Sequence, residues 1–144
     1  MTRIDFYVLK DNKANSRLDF VCRLAEKVYQ QGHRTLLHTD DAKQAGIMDD
    51  LLWTWRQGSF IPHEIQTDAT TPDSPIIINH EPELKTDLHG VLINMASEVP
   101  LFFSQFERVT EIVDQNEQTR QSARQRYRFY QDRGYPLESH DIVA

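Results

Sequence analysis

Four short apolar runs constrain this chain more than any other feature. They are RIDFYVL (Arg3–Leu9), RTLLH (Arg34–His38), PIIIN (Pro75–Asn79) and GVLINM (Gly90–Met95). Each is five to seven residues long and bounded by polar residues, glycine or proline. Within Arg3–Leu9, Ile4, Phe6 and Val8 alternate, while Tyr7 and Leu9 are also strand-friendly. Nearly continuous apolar runs of this length suit strands covered on both faces, the habit of parallel sheets.

The stretches between the runs have a different period. Leu18, Val21, Cys22, Ala25, Val28 and Tyr29 recur at helical spacing, so residues 16–31 are predicted as an amphipathic helix. Asn15 and Ser16 are suited to its N-cap, and Gly32 falls where a left-handed C-terminal residue belongs. Thr39 and Asp40 are predicted to cap a second helix that reaches about Trp53 and places Ala45, Met48 and Leu52 on one face. Strand, helix, strand, helix at these lengths implies parallel crossovers and an α/β sheet. After a polar, proline-bearing loop from Thr67 to Pro75, the third strand is PIIIN. HEPELKTDLHG then leads to the fourth. Pro100 suits the first turn of a short helix through Phe106. Val109–Val113 reads as a further strand, followed by a basic helix closed by Gly134. No internal repeat or low-complexity tract interrupts the pattern.

With 144 residues, one domain over 1–144 is expected, burying roughly two-thirds of its unfolded surface. No apolar run approaches the ~18 residues needed to cross a bilayer, and the first residues lack the pattern of a secretion signal. A lone Cys22 fits a reducing compartment. The expected location is cytoplasmic, with no membrane partner. A net charge of −6 argues against bulk nucleic-acid binding, which rests on neutralising many phosphates.

An α/β fold invites a nucleotide, yet the turn after the first strand, KDNKANS, contains no glycine. None of the glycines forms GxGxxG or GxxxxGK(S/T), so no backbone loop closely approaches a pyrophosphate. His33, His38, His63, His80, His89 and His140 are scattered without metal-ligand spacing, and there is no cysteine pair. Asp40–Asp41 and Asp49–Asp50 are adjacent on their helices and point about 100° apart, which does not make an acid/base dyad. Cys22 lies on the apolar stripe of the first helix and reads as a structural thiol. No catalytic residue, cofactor or metal site is expected.

Two constellations stand out. Trp53, Trp55, Phe60, Ile61 and Pro62 crowd ten residues around Gly58. They are either mostly core or partly a partner interface, where aromatics are favoured anchors. The second is the C-terminal helix. From Gln115 to Arg133 five arginines (120, 124, 126, 128, 133) face Glu117 and Asp132, a local charge of +3. At 100° per residue, Tyr127, Arg120, Arg124 and Arg128 fall at about −20°, 0°, 40° and 80°, on one face with Gln131. Ala123 and Tyr130 lie beyond Tyr127 and face the sheet. The arginine face is either solvated surface, the usual fate of a charge run, or the rim of an apolar notch for a carboxylate-terminated acidic peptide.

The segments DFYVL, LLW…SFIPHEI, GVLINM and FERVTEIVDQNEQTRQSARQRYRFYQDRGYPLESH resemble the chi subunit of bacterial DNA polymerase III over essentially the full length. The resemblance implies a Rossmann-like, mononucleotide-binding-type three-layer α/β domain, a mostly parallel sheet flanked by helices without a phosphate loop. It further implies a non-catalytic adaptor. Members of the family pair one-to-one with the psi subunit, which tethers them to the clamp loader. They also bind the acidic, phenylalanine-ended tail of single-stranded-DNA-binding protein. The tail-binding positions fall on Val113, Arg120, Arg124, Tyr127 and Arg128, and a further basic position is Gln131 here. The psi-binding positions fall on Trp53, Phe60 and Pro62, a surface that a helicase could share. The rival readings are a nucleotide-dependent enzyme on the same fold and a direct single-stranded nucleic-acid binder.

Overall fold

The computed structural model describes residues 1–55, 61–67, 74–84 and 87–143. Its elements are β1 (Arg3–Leu9), α1 (Ser16–Gln30), β2 (Thr35–His38), α2 (Ala42–Thr54), β3 (Glu64–Ile65), β4 (Ile76–Asn79), β5 (Val91–Asn94), a single 3-10 turn (Phe103–Gln105), β6 (Arg108–Val113), α3 (Glu117–Asp132) and β7 (Leu137–Ile142). Among the described residues the strands form one seven-stranded sheet in the order β3-β4-β2-β5-β6-β1-β7. Every pairing is parallel.

The apolar runs supply the centre of this sheet because they have something to bury on both sides. Ile76 and Ile78 face one core with Leu37, Ile93 and Ile112, under Val21, Cys22 and Val28 of α1 and Met48 and Leu52 of α2. Ile77 faces the other with Leu36, Leu92 and Val109, under Ala123 and Tyr130 of α3 and Phe103 and Phe106 of the β5–β6 connection. Period-2 alternation thus divides each strand between two cores, and the product is three layers.

Helix boundaries follow local chemistry. Gly32 and Gly134 take φ of +83° and +78°, and each closes its helix with backbone hydrogen bonds back into the last turn. The cap of α2 lies later than the expected Thr39–Asp40. Asp41 is the cap and accepts from the Gln44 amide at 2.8 Å. Thr39 instead donates to the Asn79 carbonyl, and Asp40 accepts from the amide and hydroxyl of Ser97. Both residues are engaged across the ends of neighbouring strands. Asn15 precedes α1 without a side-chain capping bond. Gly90 is needed for close approach, since a Cβ there would lie 2.3 Å from the Arg34 carbonyl oxygen.

Two strands were not expected from the sequence. β3 has only two residues. β7, LESHDI, mixes polar and apolar side chains because it is an edge strand, but its backbone pairs with β1 from Ile4↔Leu137 to Leu9↔Ile142. Its His140 stacks on Tyr7 with ring centroids 4.9 Å apart and donates through Nε2 to Asp5 Oδ1 at 2.9 Å. Arg108 donates through Nε to Asp5 Oδ2 at 2.9 Å, and Arg3 lies at 3.2 Å. Burial raises the pKa of Asp5. The hydrogen bond from His140 and the charge and hydrogen bond of Arg108, with help from Arg3, outweigh it and hold the group below its ordinary value.

A depressed pKa in the folded state gives stability that is complete above the unfolded carboxyl value of about 3.9 and is lost as pH falls through the folded value. Asp5→Asn is expected to lower stability at neutral pH and to flatten the acid limb of a stability–pH profile from urea melts. An acid limb as steep in Asp5→Asn as in the wild type would remove Asp5 from that role.

Candidate functional site

Helix α3 follows β6 after Asp114 and Gln115. Asn116 caps it, accepting from the amides of Gln118 and Thr119 at 3.0 and 3.2 Å. The helix passes over β1 and returns through Gly134 to β7. Its inward residues are Ala123, Arg126 and Tyr130, at helical i, i+3, i+7 spacing. Ala123 is small, so the sheet beside it is left uncovered. The result is a cavity of about 190 Å³ lined by Phe6, Val8, Val113, Arg120, Ala123, Arg124, Tyr127 and Ser139.

Four of the five tail-binding residues expected from the sequence meet here. Val113 is buried at the floor, Tyr127 is half-buried, and Arg120 and Arg124 form the rim. Tyr127 meets Phe6 edge-on, with ring centroids 5.1 Å apart. Arg124 is exposed and makes a loose ion pair with Glu117 at 3.8 Å. Among the described residues, no carboxylate pairs with Arg120 or Arg128. Arg128 is exposed one turn further on and does not line the cavity, and Gln131 is exposed beyond it. Sequence reasoning missed Phe6, Val8 and Ser139 as lining residues. For Phe6 and Val8 the signal was present, because they alternate with Ile4 on the face that α3 covers. Ser139 was hidden with β7.

The helix also contains a residue that the charge count misassigned. Arg126 is only 3% exposed. It donates through Nε to Glu111 Oε1 at 2.9 Å. The Tyr130 hydroxyl and Asn94 Nδ2 donate to Glu111 Oε2 at 2.7 and 2.9 Å. Burial, and then the neighbouring Glu111 charge, push the Tyr130 phenol well above its ordinary pKa, so it remains a donor. Arg126 therefore serves the interior. Outside stand Arg120, Arg124, Arg128 and Arg133 against Glu117 and Asp132, a charge of +2. The signal was available: Glu111 lies in the inward register of Val109 and Val113, and Arg126 lies between Ala123 and Tyr130.

The aromatic segment divides. Ile61 is buried, and Trp55 packs against the core beneath α1 and α2. Trp53 is 48% exposed and packs on His63 at 4.5 Å between centroids. Pro62 is half-buried. Phe60 lies outside the described residues. Elsewhere, burial pushes the Cys22 thiol up to about 12, which leaves it unreactive. Asp5, Glu138 and His140 bring three ligand-type atoms together, but Asp5 is already held by Arg3 and Arg108. No helix among the described residues is long and apolar enough to cross a membrane.

The fold and the notch together define a parallel, doubly wound α/β domain that carries a cationic, apolar-floored pocket and no glycine phosphate loop. A family model described as DNA polymerase III chi subunit, HolC, matches residues 1–138. The chain is 39% identical over 142 residues to DNA polymerase III subunit chi of Pseudomonas aeruginosa, covering 99% of this chain and 98% of that one. It is 27% identical over 143 residues to the Escherichia coli subunit chi, covering 96% and 97%. Among solved structures, T4 UvsW superposes with a TM-score of 0.69 at 10% identity, over 99% of this chain and 42% of that one. The C-terminal domain of S. cerevisiae Dbp5, bound to Gle1 and IP6, gives 0.64 at 11% identity, over 99% and 90%. At such identities these structures speak to fold alone. The chain belongs to the DNA polymerase III chi subunit family, which places it in DNA replication as a polymerase accessory subunit.

Removing the Glu111 carboxylate strands a buried guanidinium. Glu111→Ala is expected to cost about 3–5 kcal/mol of unfolding free energy. A double substitution, Glu111→Leu with Arg126→Met, should cost less than the sum of the two single changes. Additive losses in chemical denaturation would show that the two side chains do not act as a pair.

Proposed function

We propose that this protein is a non-catalytic adaptor with two interfaces. One takes the acidic C-terminal tail of single-stranded-DNA-binding protein, and the other holds the psi subunit and, through it, the clamp loader. The observation that carries the reading is the notch: an apolar floor of Val113, Phe6 and Val8, an aromatic wall of Tyr127, and the guanidiniums of Arg120 and Arg124 at one rim. That combination suits an apolar C-terminal side chain whose own carboxylate must be met at the same place. A phenylalanine ring fits the floor. The terminal carboxylate goes to Arg124 and Arg120, because arginine holds carboxylates with two parallel hydrogen bonds. Arg128, exposed along the same helix face, is placed for an acidic residue further back in the tail. A net helix charge of +2 on a protein of charge −6 favours a short acidic peptide over a nucleic-acid backbone, which calls for a larger basic footprint.

The psi interface is assigned to the surface around Trp53 and Pro62 and, by sequence alone, to Phe60. Its support among the described residues is the exposed Trp53 ring, since tryptophan is enriched among interface anchors.

The reading is tested by calorimetry with an acidic peptide ending in phenylalanine, with and without its terminal carboxylate. Amidation should weaken binding, and Arg124→Ala should cost ~1.5–3 kcal/mol, the range for a hydrogen bond to a charged group. Added salt should weaken it further. Equal affinity for the free and amidated peptides would exclude carboxylate capture. Trp53→Ala is expected to abolish co-purification with psi while changing the melting curve little, since the ring is largely outside the core. Retention of psi by that variant would move the interface elsewhere.

A further inference from the structure

We propose that the crevice at the carboxyl ends of β2, β5 and β6 is a second binding site, specific for a small oxyanion of the phosphate class. It is separate from the notch and does not depend on the adaptor role. The crevice has a volume of about 250 Å³, and its walls include Arg17, Asp40, Gln44, Ser97, Ser122 and Arg126.

Topology puts it where α/β sheets bind ligands. The helix after β2, α2, packs on one face of the sheet, while the connection after β5 packs with Phe103 and Phe106 on the other. β2 and β5 are neighbours in the sheet. Chain leaving adjacent strands in opposite directions opens a crevice at their carboxyl ends. First-turn residues of α1, α2 and α3 line it: Arg17 of α1, Gln44 of α2, and Gln118 and Thr119 of α3. The N-terminal turns of three helices therefore border one space, where their dipoles favour negative charge. The amides of Gln44, Gln118 and Thr119 are already capped by Asp41 and Asn116, so these helix ends contribute field and the hydrogen bonds must come from side chains.

The side chains present are short of acceptors. Arg126 gives Nε to Glu111 and Nη1 to the Ser97 carbonyl and the Ser122 hydroxyl. Its Nη2 is buried without an acceptor. Arg17 gives Nε to the Ile112 carbonyl at 3.1 Å and Nη2 to the Met95 carbonyl at 3.4 Å. Among the described residues no carboxylate pairs with Arg17. Burial first, and then repulsion from Arg126, lower its pKa, partly opposed by the attraction of Asp114, Glu111 and Asp40. Two guanidiniums held near each other in a partly desolvated space repel, a cost that an anion beside Arg17 would offset, with Arg126 acting through its charge because its Nη2 is enclosed by protein. Glu111 balances one charge from behind the Arg126 side chain. Asp40 stands exposed at the mouth, where its Oδ1 is held by Ser97. The Thr119 hydroxyl and the side-chain amides of Gln44 and Gln118 complete a polar lining suited to a tetrahedral oxyanion, while the Ser122 hydroxyl donates to the Ser97 carbonyl and accepts from Arg126 Nη1.

Size limits the ligand. The crevice is smaller than the ~300–1,000 Å³ of pockets that enclose drug-sized molecules. It fits one phosphate group, free or at the end of a small ester whose remainder lies outside. This needs no glycine loop, because side chains take the place of backbone amides.

The test is isothermal titration of the full chain with inorganic phosphate at constant ionic strength, with chloride as the control anion and AMP as the ester probe. Saturable binding of phosphate is expected, with a rise in Tm that chloride does not reproduce. Arg17→Gln removes one guanidinium. Ser122→Asp places a carboxylate beside Arg126 Nη1 and fills the site from within. Each should weaken phosphate binding about tenfold or more, the loss of one charge-assisted hydrogen bond. Circular dichroism checks the fold of both, and Ser122→Asp alone decides the matter if Arg17→Gln does not fold. Tighter binding of AMP than of phosphate would identify an ester as the ligand, and equal binding would identify the free anion. The proposal is overturned if wild-type protein shows no saturation with phosphate, if both folded variants bind it as well as wild type, or if a divalent cation binds there in its place.

Discussion

One buried carboxylate organises the carboxyl end of this sheet. Glu111 sits in the middle of β6, in a register otherwise occupied by valines, and receives donors from Asn94 on β5 and from Arg126 and Tyr130 on α3. Burying such a charge is costly, and an ion pair in an interior is by itself weak evidence for stability. What the network supplies is position. An apolar contact tolerates sliding of a helix by a fraction of a turn, whereas two directed hydrogen bonds from that helix, Arg126 and Tyr130 to the two oxygens of one side chain, do not. Helix α3 is thereby set at one rotation over β6 and β1.

Both proposed sites are consequences of that setting. With Arg126 and Tyr130 turned inward, helical geometry puts Tyr127 at the margin and Arg120 and Arg124 on the rim, while Ala123 is too small to close the gap over Phe6 and Val113. On the other flank the same Arg126 reaches the crevice with Arg17. A single arginine thus separates an apolar, cation-rimmed notch from a polar, cation-walled crevice.

The amount of this that can be read from the sequence varies with the kind of signal. Strands such as PIIIN and GVLINM are legible because apolar residues on both faces leave no other economical arrangement. The ends of α1 and α3 are legible because Gly32 and Gly134 are where a left-handed residue is required. The cap of α2 is less so, because Thr39 and Asp40 have the right chemistry for a cap and are used for contacts to Asn79 and Ser97 that only the folded sheet creates. β7 is opaque for a related reason: an edge strand is held by its backbone, and LESHDI has little apolar pattern to announce it. The arginine face of α3 is legible by angle alone. Arg126 is not legible by charge counting, since its partner lies 15 residues away in sequence. It becomes so only when a buried register on β6 is seen to contain an acid and the buried register of α3 a base.

The sheet order has a consequence for how the molecule comes into being. β1, near the start of the sequence, has β6 and β7 as its neighbours, so its partners lie roughly a hundred residues downstream (Ile4 beside Val109, Leu9 beside Ile142). On a ribosome that delivers residues in order, β1 waits with both edges open while nearly the whole chain is made, and such non-local pairing is slow to form. The notch has walls from β1, β6, α3 and β7. Its walls cannot all be in place until β7 has been made and has paired with β1.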